Sequence, residues 1–116
     1  MTESFSVNVD RREGLAVIYT EGYINNQGGE VIAREAEKLL DEGHKVLLLN
    51  LAGTKIVNSI GISILIEIIE KMIEIGGRLG FCCLTPTIEK TFHIMGLAQY
   101  ARIFPDEPAA VAGLQS

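Results

Sequence analysis

Two short, continuous apolar runs constrain the fold of this chain more than any other feature. Residues 45–51 read KVLLLNL and residues 79–84 read LGFCCL, and neither run alternates between apolar and polar positions. Strands that are covered on both faces have this pattern, because a parallel sheet carries helices on its two sides. We therefore predict two central parallel strands, joined by a crossover that contains a helix.

The segment between the two runs supplies that helix. Isoleucine at every second position from residue 60 to residue 68 imitates a strand, but the polar residues recur at offsets of 4, 7, 8 and 11, which is the spacing of one helical stripe. Gly76 and Gly77 end the pattern. The apolar arc is wider than one sheet face requires, so exposed isoleucines near the helix start could form a docking patch unless neighbouring elements cover them. The predicted polar stripe is Ser63, Glu67, Glu70, Lys71 and Glu74, and the predicted core positions are Ile62, Leu65, Ile69 and Met72.

The flanking segments predict the order β-β-α-β-α-β-α-β-α. Residues 5–9 alternate and residues 15–20 (LAVIYT) follow a polar turn, which indicates an antiparallel hairpin. A helix opens at residues 25–29, and another begins at Thr85-Pro86, with Ile88, Phe92 and Met95 as its core face. We predict one α/β domain over residues 1–116, with its core at about 5–112. Its mixed sheet has about four to five strands, and its helices pack mainly on one face.

Composition and charge exclude several classes of function. A net charge of −5 and a pI near 5.0 leave no excess of cations to neutralise nucleic-acid phosphates or to bind an anionic membrane. The first residues lack a basic head followed by an apolar run, so no signal peptide is predicted. The most apolar stretch, residues 59–75, carries charges that are costly in lipid. We expect a cytoplasmic protein without membrane insertion.

No residue pattern indicates catalysis. His44 and His93 have no ligand partners at suitable spacing, so no metal site is expected, and the chain has no phosphate-binding glycine motif or nucleophile elbow. We expect no cofactor. Cys82 and Cys83 are adjacent, and two interpretations stay open. They are reduced thiols in a buried strand, or a reactive pair with a lowered thiol pKa, as in a small enzyme or phosphocarrier.

Ser59, at the predicted start of the isoleucine-rich helix, is the candidate functional residue. A phosphate here would meet unpaired backbone N–H groups and the positive end of the helix dipole. It would add about −1.5 to −2 charges to a surface that meets a partner. The alternative is that Ser59 is an N-cap that contributes about 1 kcal/mol to helix stability.

Five motifs are distributed along the second half of the chain, namely Leu49-Asn50-Leu51, Ile56-Val57-Asn58-Ser59-Ile60-Gly61, Gly76-Gly77-Arg78-Leu79, Thr85-Pro86 and Met95-Gly96-Leu97. Together they resemble the STAS family, and most closely its bacterial anti-sigma factor antagonists. The resemblance covers residues 5 to about 112. It implies a serine that is phosphorylated by a partner acting both as anti-sigma factor and as ATP-dependent serine kinase. It also implies that phosphorylation ends the complex and that a phosphatase restores it; Ser59 takes the serine position.

The chain departs from the family pattern at three positions. Asn58 and Asn25 stand where the family has acidic residues, and Ile60 replaces the second hydroxyl residue of the motif. Because of these departures, a second interpretation stays open, namely a constitutive STAS adaptor in a signalling or transport complex. The isoleucine-rich face also leaves open whether the chain forms a homodimer. The predicted partner-binding residues are Asn25, Asn26, Asn58, Ser59, Ile60, Gly61 and Ile64.

Overall fold

The two apolar runs form neighbouring parallel strands at the centre of a five-stranded sheet, as the sequence predicts. The computed structural model describes residues 5–115, and its elements are β1 Ser6–Arg12, β2 Leu15–Glu21, α1 Asn26–Asp41, β3 Val46–Gly53, α2 Ser59–Glu74, β4 Arg78–Cys82, α3 Pro86–Ile94, a 3-10 turn Leu97–Gln99, β5 Arg102–Phe104 and α4 Glu107–Gln115. The strand order in the sheet is β1-β2-β3-β4-β5. β1 is antiparallel to β2, and the other pairs are parallel. The predicted α/β fold with an N-terminal hairpin is confirmed.

The sheet separates two apolar layers of unequal size. Leu47 and Leu49 of β3 point into the larger core with α1, α2 and α3, whereas Leu48 points to the other face, where α4 packs. This split follows from the alternation of side chains along a strand. The predicted placement of the helices mainly on one face is therefore confirmed, with α4 as the exception. All four predicted core positions of α2 are buried.

Glu107 fixes the start of α4 on the smaller face. Its carboxylate accepts hydrogen bonds from Arg12 Nη2 at 2.8 Å, from Asn50 Nδ2 at 3.0 Å and from the Tyr19 hydroxyl at 3.1 Å. Partial burial alone would raise the pKa of Glu107, but these hydrogen bonds and the Arg12 charge lower it below its usual value. The network thus joins β1, β2 and β3 to α4.

Two local predictions differ from the structure. Met95, predicted as a core residue of α3, is exposed, because α3 ends at Ile94 and Gly96 turns the chain with φ of 84°. Only part of the second apolar run is strand, because β4 ends at Cys82 and Cys83 leaves it with φ of 63°. Residues 1–4 and 116 of the predicted domain lie outside the described residues, as does the start of the N-terminal segment considered for a signal peptide. No helix within residues 5–115 is long and apolar enough to cross a membrane.

Candidate functional site

The N-termini of α1 and α2 lie side by side at one edge of the sheet. Beyond β2 and β3 the two chain segments stay in parallel contact through an Ile24–Val57 bridge. The Ile24 N–H donates to the Ile56 carbonyl at 3.0 Å, and the Asn58 N–H donates to the Ile24 carbonyl at 3.1 Å. These bonds hold the two helix starts together at the carboxyl ends of parallel strands, where open α/β sheets place their binding sites.

Asn25 and Asn58 are the N-caps of these helices. Asn25 Oδ1 accepts a hydrogen bond from the Gly28 N–H at 2.9 Å, and Asn58 Oδ1 accepts one from the Gly61 N–H at 2.8 Å. Asparagine is among the preferred N-cap residues, because its short side chain reaches the free N–H groups of the first turn. The interpretation of Ser59 as an N-cap is therefore wrong, since Asn58 caps α2 and Ser59 is its first residue.

Two glycines allow this close approach of backbones. A Cβ on Gly28 would lie 2.6 Å from the Tyr23 carbonyl oxygen, and a Cβ on Gly61 would overlap the Ile24 carbonyl. Both glycines are buried. Gly61, predicted as a partner-binding residue, thus sits beneath the surface and sets how closely α2 approaches the segment that precedes α1.

Ser59 is exposed at the start of α2, between two exposed apolar side chains. Its hydroxyl has no hydrogen bond within residues 5–115, while its carbonyl accepts one from the Ser63 hydroxyl at 3.1 Å. Ile56 is 58% exposed and Ile60 is 52% exposed. Asn58 Oδ1 accepts a hydrogen bond from the Gly61 N–H, whereas the other N–H groups of the first helical turn have no intrahelical acceptor. The site therefore combines a free hydroxyl, helix-start N–H groups and apolar contact area.

The other predicted residues divide between the surface and the interior. Asn26, the first residue of α1, is exposed. Ile64 is half-buried and lies against Gly29 of α1, so it joins the two helices. Sequence reasoning missed Ile56, which together with Lys55 and Tyr23 lines a hollow of about 220 Å³ next to the helix starts. The sequence feature that could have indicated it is a large apolar residue in a loop, next to a lysine and outside any periodic pattern.

Cys82 is not an activated thiol. Cys82 is buried, and burial raises its thiol pKa, with smaller contributions from Cys83 and from the nearby carboxylates of Glu107 and Asp106. A thiol enzyme would need a lowered thiol pKa, so the interpretation of Cys82 as such a thiol is wrong. Within the described residues, no group of three or more His, Cys, Asp or Glu side chains is placed to hold a metal ion.

The family of the chain follows from comparison with known proteins. The STAS domain family model matches residues 6–110, so the chain belongs to the STAS domain family. BtrV of Bordetella bronchiseptica, provisionally described as an anti-sigma factor antagonist, is 21% identical over 110 residues, which are 95% of each protein.

Solved structures agree with this fold. An anti-sigma factor antagonist from Mycobacterium paratuberculosis superposes with a TM-score of 0.85 at 19% identity, over 97% of this chain and 96% of that one. The Bacillus cell fate determinant SpoIIAA in its phosphorylated form has a TM-score of 0.71 at 17% identity, over 92% of this chain and 98% of that one. At these identities the likeness shows the shared fold.

Proposed function

We propose that this STAS domain is an anti-sigma factor antagonist that binds an anti-sigma factor serine kinase and is released by phosphorylation of Ser59. The observation that carries the proposal is the exposed Ser59 hydroxyl at the start of α2, between exposed Ile56 and Ile60. The names of the relatives support it, since BtrV and the mycobacterial protein carry the antagonist description and SpoIIAA has a phosphorylated form.

The unphosphorylated surface suits a protein partner. Ile56 and Ile60 flank Ser59, and Asn26 extends the surface onto the start of α1. Burying a fully exposed isoleucine contributes roughly 1.5–3 kcal/mol, and since Ile56 and Ile60 are each a little over half exposed, the two together contribute about as much as one such side chain. The partner must leave room for the Ser59 hydroxyl, because the same serine becomes the acceptor of the phosphoryl group.

Phosphorylation would change the binding without changing the fold. A phosphate on Ser59 is tolerated by the free domain, because helix-start N–H groups and the helix dipole favour an anion there. In the complex, the same group would bring about −1.5 to −2 charges against a surface packed on isoleucines. Desolvating that charge costs free energy only in the bound state, so the complex dissociates while α2 stays intact.

Asn58 is compatible with the hydroxyl as a phosphoryl acceptor. Its side-chain oxygen is held by the Gly61 N–H, so it keeps the helix start in place without adding a carboxylate beside the incoming γ-phosphate. Catalysis of phosphoryl transfer rests on positioning, on metal ions and on a residue that orients the nucleophile, all of which a kinase supplies. The antagonist has to present Ser59 on a fixed backbone.

A constitutive STAS adaptor is the second candidate. Asn58 and Ile60 favour it, because they replace the acidic and hydroxyl residues of the phosphorylated motif. In this case Ile60 would serve as a permanent apolar contact. The two candidates differ in one respect that can be measured, namely whether Ser59 accepts a phosphoryl group and whether binding depends on it.

The deciding experiment measures phosphorylation and binding in parallel. The full chain is incubated with the serine kinase encoded nearest to it, ATP and magnesium, and its intact mass is recorded. Ser59→Ala tests the site, and Ser63→Ala, which removes another exposed serine one turn along α2, is the matched control. We expect one phosphoryl group on the wild type and on Ser63→Ala, none on Ser59→Ala, and loss of kinase binding by the phosphorylated form. Unmodified protein that still binds the kinase would support the adaptor.

A further inference from the structure

The large exposed apolar side chains of residues 5–115 fall into two separate groups. Ile56 and Ile60 lie beside Ser59, as described above. The second group, which consists of Ile73, Ile94, Met95 and Tyr100, lies on the C-terminal half of α2, at the end of α3 and on the turn that follows it. Three of its members, Ile73, Met95 and Tyr100, line a groove between α2 and that turn.

The groove lies between two apolar walls and has a volume of about 470 Å³. Ile66, Ile69 and Ile73 form one wall along two turns of α2, and Met95, Leu97 and Tyr100 form the other. Grooves of this kind receive the apolar stripe of an amphipathic helix through side chains spaced i, i+3 or i+4, and i+7.

The charged residues at the groove indicate which charge a bound helix would carry beside its apolar stripe. Glu70 is the charged residue of the lining, and Glu74 lies one turn further on the same face of α2. Neither carboxylate has an ion pair within residues 5–115, whereas Lys71, on the side of α2 that faces α1, pairs with Glu37 at 3.4 Å. At Ile69, Ile73 and Tyr100 the groove adjoins a second hollow, which is also lined by Arg78 and Arg102, and each of these arginines donates to a carbonyl of α4.

We propose that this groove, formed by Ile66, Ile69, Glu70, Ile73, Met95 and Tyr100, docks an amphipathic helix of a partner protein whose apolar stripe is flanked by Lys or Arg. Tyr and Met suit such a surface, because aromatic side chains lose little conformational entropy and methionine adapts to its contacts. The acidic edge selects a basic flank and disfavours an acidic one.

This surface is independent of the proposed Ser59 switch. At 1.5 Å per residue along α2, Ser59 is about 10 Å from Ile66, the nearest groove residue on that helix, and about 21 Å from Ile73. Both distances exceed the roughly 8 Å over which salt at physiological strength screens exposed charges. A helix in the groove would therefore stay bound when Ser59 is phosphorylated, and the inference goes beyond the proposed function.

Labelled model peptides in the presence of the full chain test the proposal. The probe is an amidated peptide of about eighteen residues in which Leu occupies the i, i+3, i+4, i+7 stripe and Lys the other positions. One comparison peptide replaces Lys by Glu, and another keeps the Leu/Lys composition in a shuffled order. Binding is followed by fluorescence anisotropy, and the site is mapped by amide chemical shifts.

Variants on both walls and at the Ser59 site make the test specific. Ile73→Asp and Met95→Glu alter opposite walls at exposed positions, so circular dichroism should show an intact fold. Each should weaken binding about tenfold or more, as expected for a central apolar contact. Glu70→Gln should weaken it a few-fold and reduce its salt dependence. Ile60→Asp, matched in exposure, and Ser59→Glu should leave binding unchanged.

Four outcomes would overturn the proposal. They are equal binding of the Leu/Glu or shuffled peptide, shift changes centred on residues 56–60, equal losses in Ile60→Asp and Ile73→Asp, and a self-associating chain. In the last case, sedimentation equilibrium would show a dimer that Ile73→Asp dissociates, and a second copy would be the occupant. A failed peptide experiment leaves the kinase experiment on Ser59 unaffected, so the two proposals can fail separately.

Discussion

Asn25 and Asn58 make the same hydrogen bond at the starts of two neighbouring helices. Each side-chain oxygen accepts from the N–H three residues ahead, at 2.9 Å to Gly28 and 2.8 Å to Gly61. The two Asn-x-x-Gly segments thus form a matched pair, joined through the Ile24–Val57 bridge. At both positions the amide takes over the capping role that an acidic residue would also fill, without its charge.

The first prediction concerns this capping role. Asn58→Ala should lower the free energy of unfolding by about 1 kcal/mol, because the Gly61 N–H loses its acceptor. Asn58→Asp should preserve stability, because aspartate caps equally well and its charge suits the helix dipole. Urea unfolding of both variants, with Asn26→Ala as an exposed control next to the other cap, measures the difference. Equal stability of Asn58→Ala and wild type would contradict the assigned cap.

A second prediction compares two glycines at the helix starts: Gly61, which lies against backbone, and Gly29, which lies against a side chain. Gly61→Ala should destabilise the domain by about 1–3 kcal/mol, since its Cβ would overlap the backbone carbonyl of Ile24, which is held by a hydrogen bond from the Asn58 N–H. Gly29→Ala should cost less, because the nearest atom is a terminal methyl of Ile64, which can shift. Thermal unfolding of the two variants compares them directly. The reverse order of melting temperatures would show that the contact between α2 and Ile24 is looser than described.

The acid sensitivity of α4 is a third prediction. The Glu107 pKa is lowered in the folded state from its usual value near 4.5, so the carboxylate stabilises the fold fully above that pH. The contribution is lost as the pH falls through the folded-state pKa, where protonation disrupts the hydrogen bonds from Arg12, Asn50 and Tyr19. Glu107→Gln should be less stable than wild type by about 1–2 kcal/mol at pH 7. Unfolding curves between pH 7 and pH 3 should show that the difference in stability between the two proteins shrinks as the pH falls. A constant difference would rule out this linkage.

The sequence predicts the parts of this structure that depend on local patterns. The continuous apolar runs place β3 and β4 correctly, and the polar stripe identifies α2 against the misleading alternation of isoleucines. Thr85 and Pro86 begin α3 as predicted, because capping depends on residues close in sequence. The exposure of Met95 was missed, because a helical spacing of apolar residues does not show that the helix stops one residue earlier.

Long-range contacts explain what else was missed. Glu107 meets Arg12 across 95 positions, and no pattern near either residue indicates the pairing. Asn58 and Ser59 are both good N-cap residues, so local preference could not distinguish them. The choice is made by the backbone contact of Asn58 with Ile24, which the fold brings together. The groove between α2 and α3 likewise arises from packing.

The last prediction concerns the adjacent thiols. Cys82 is buried beneath α4 with a raised pKa, whereas Cys83 is half-buried, with the two sulfur atoms 3.6 Å apart. Because the thiolate is the reacting form, Cys82 should resist a disulfide reagent in the native state, and Cys83 should react first. Labelling at pH 8 should consume one thiol quickly and the second at the rate of unfolding. Cys83→Ser should remove the fast phase and Cys82→Ala should keep it. A fast reaction of Cys82 in the Cys83→Ser variant would mean that α4 opens readily from the sheet.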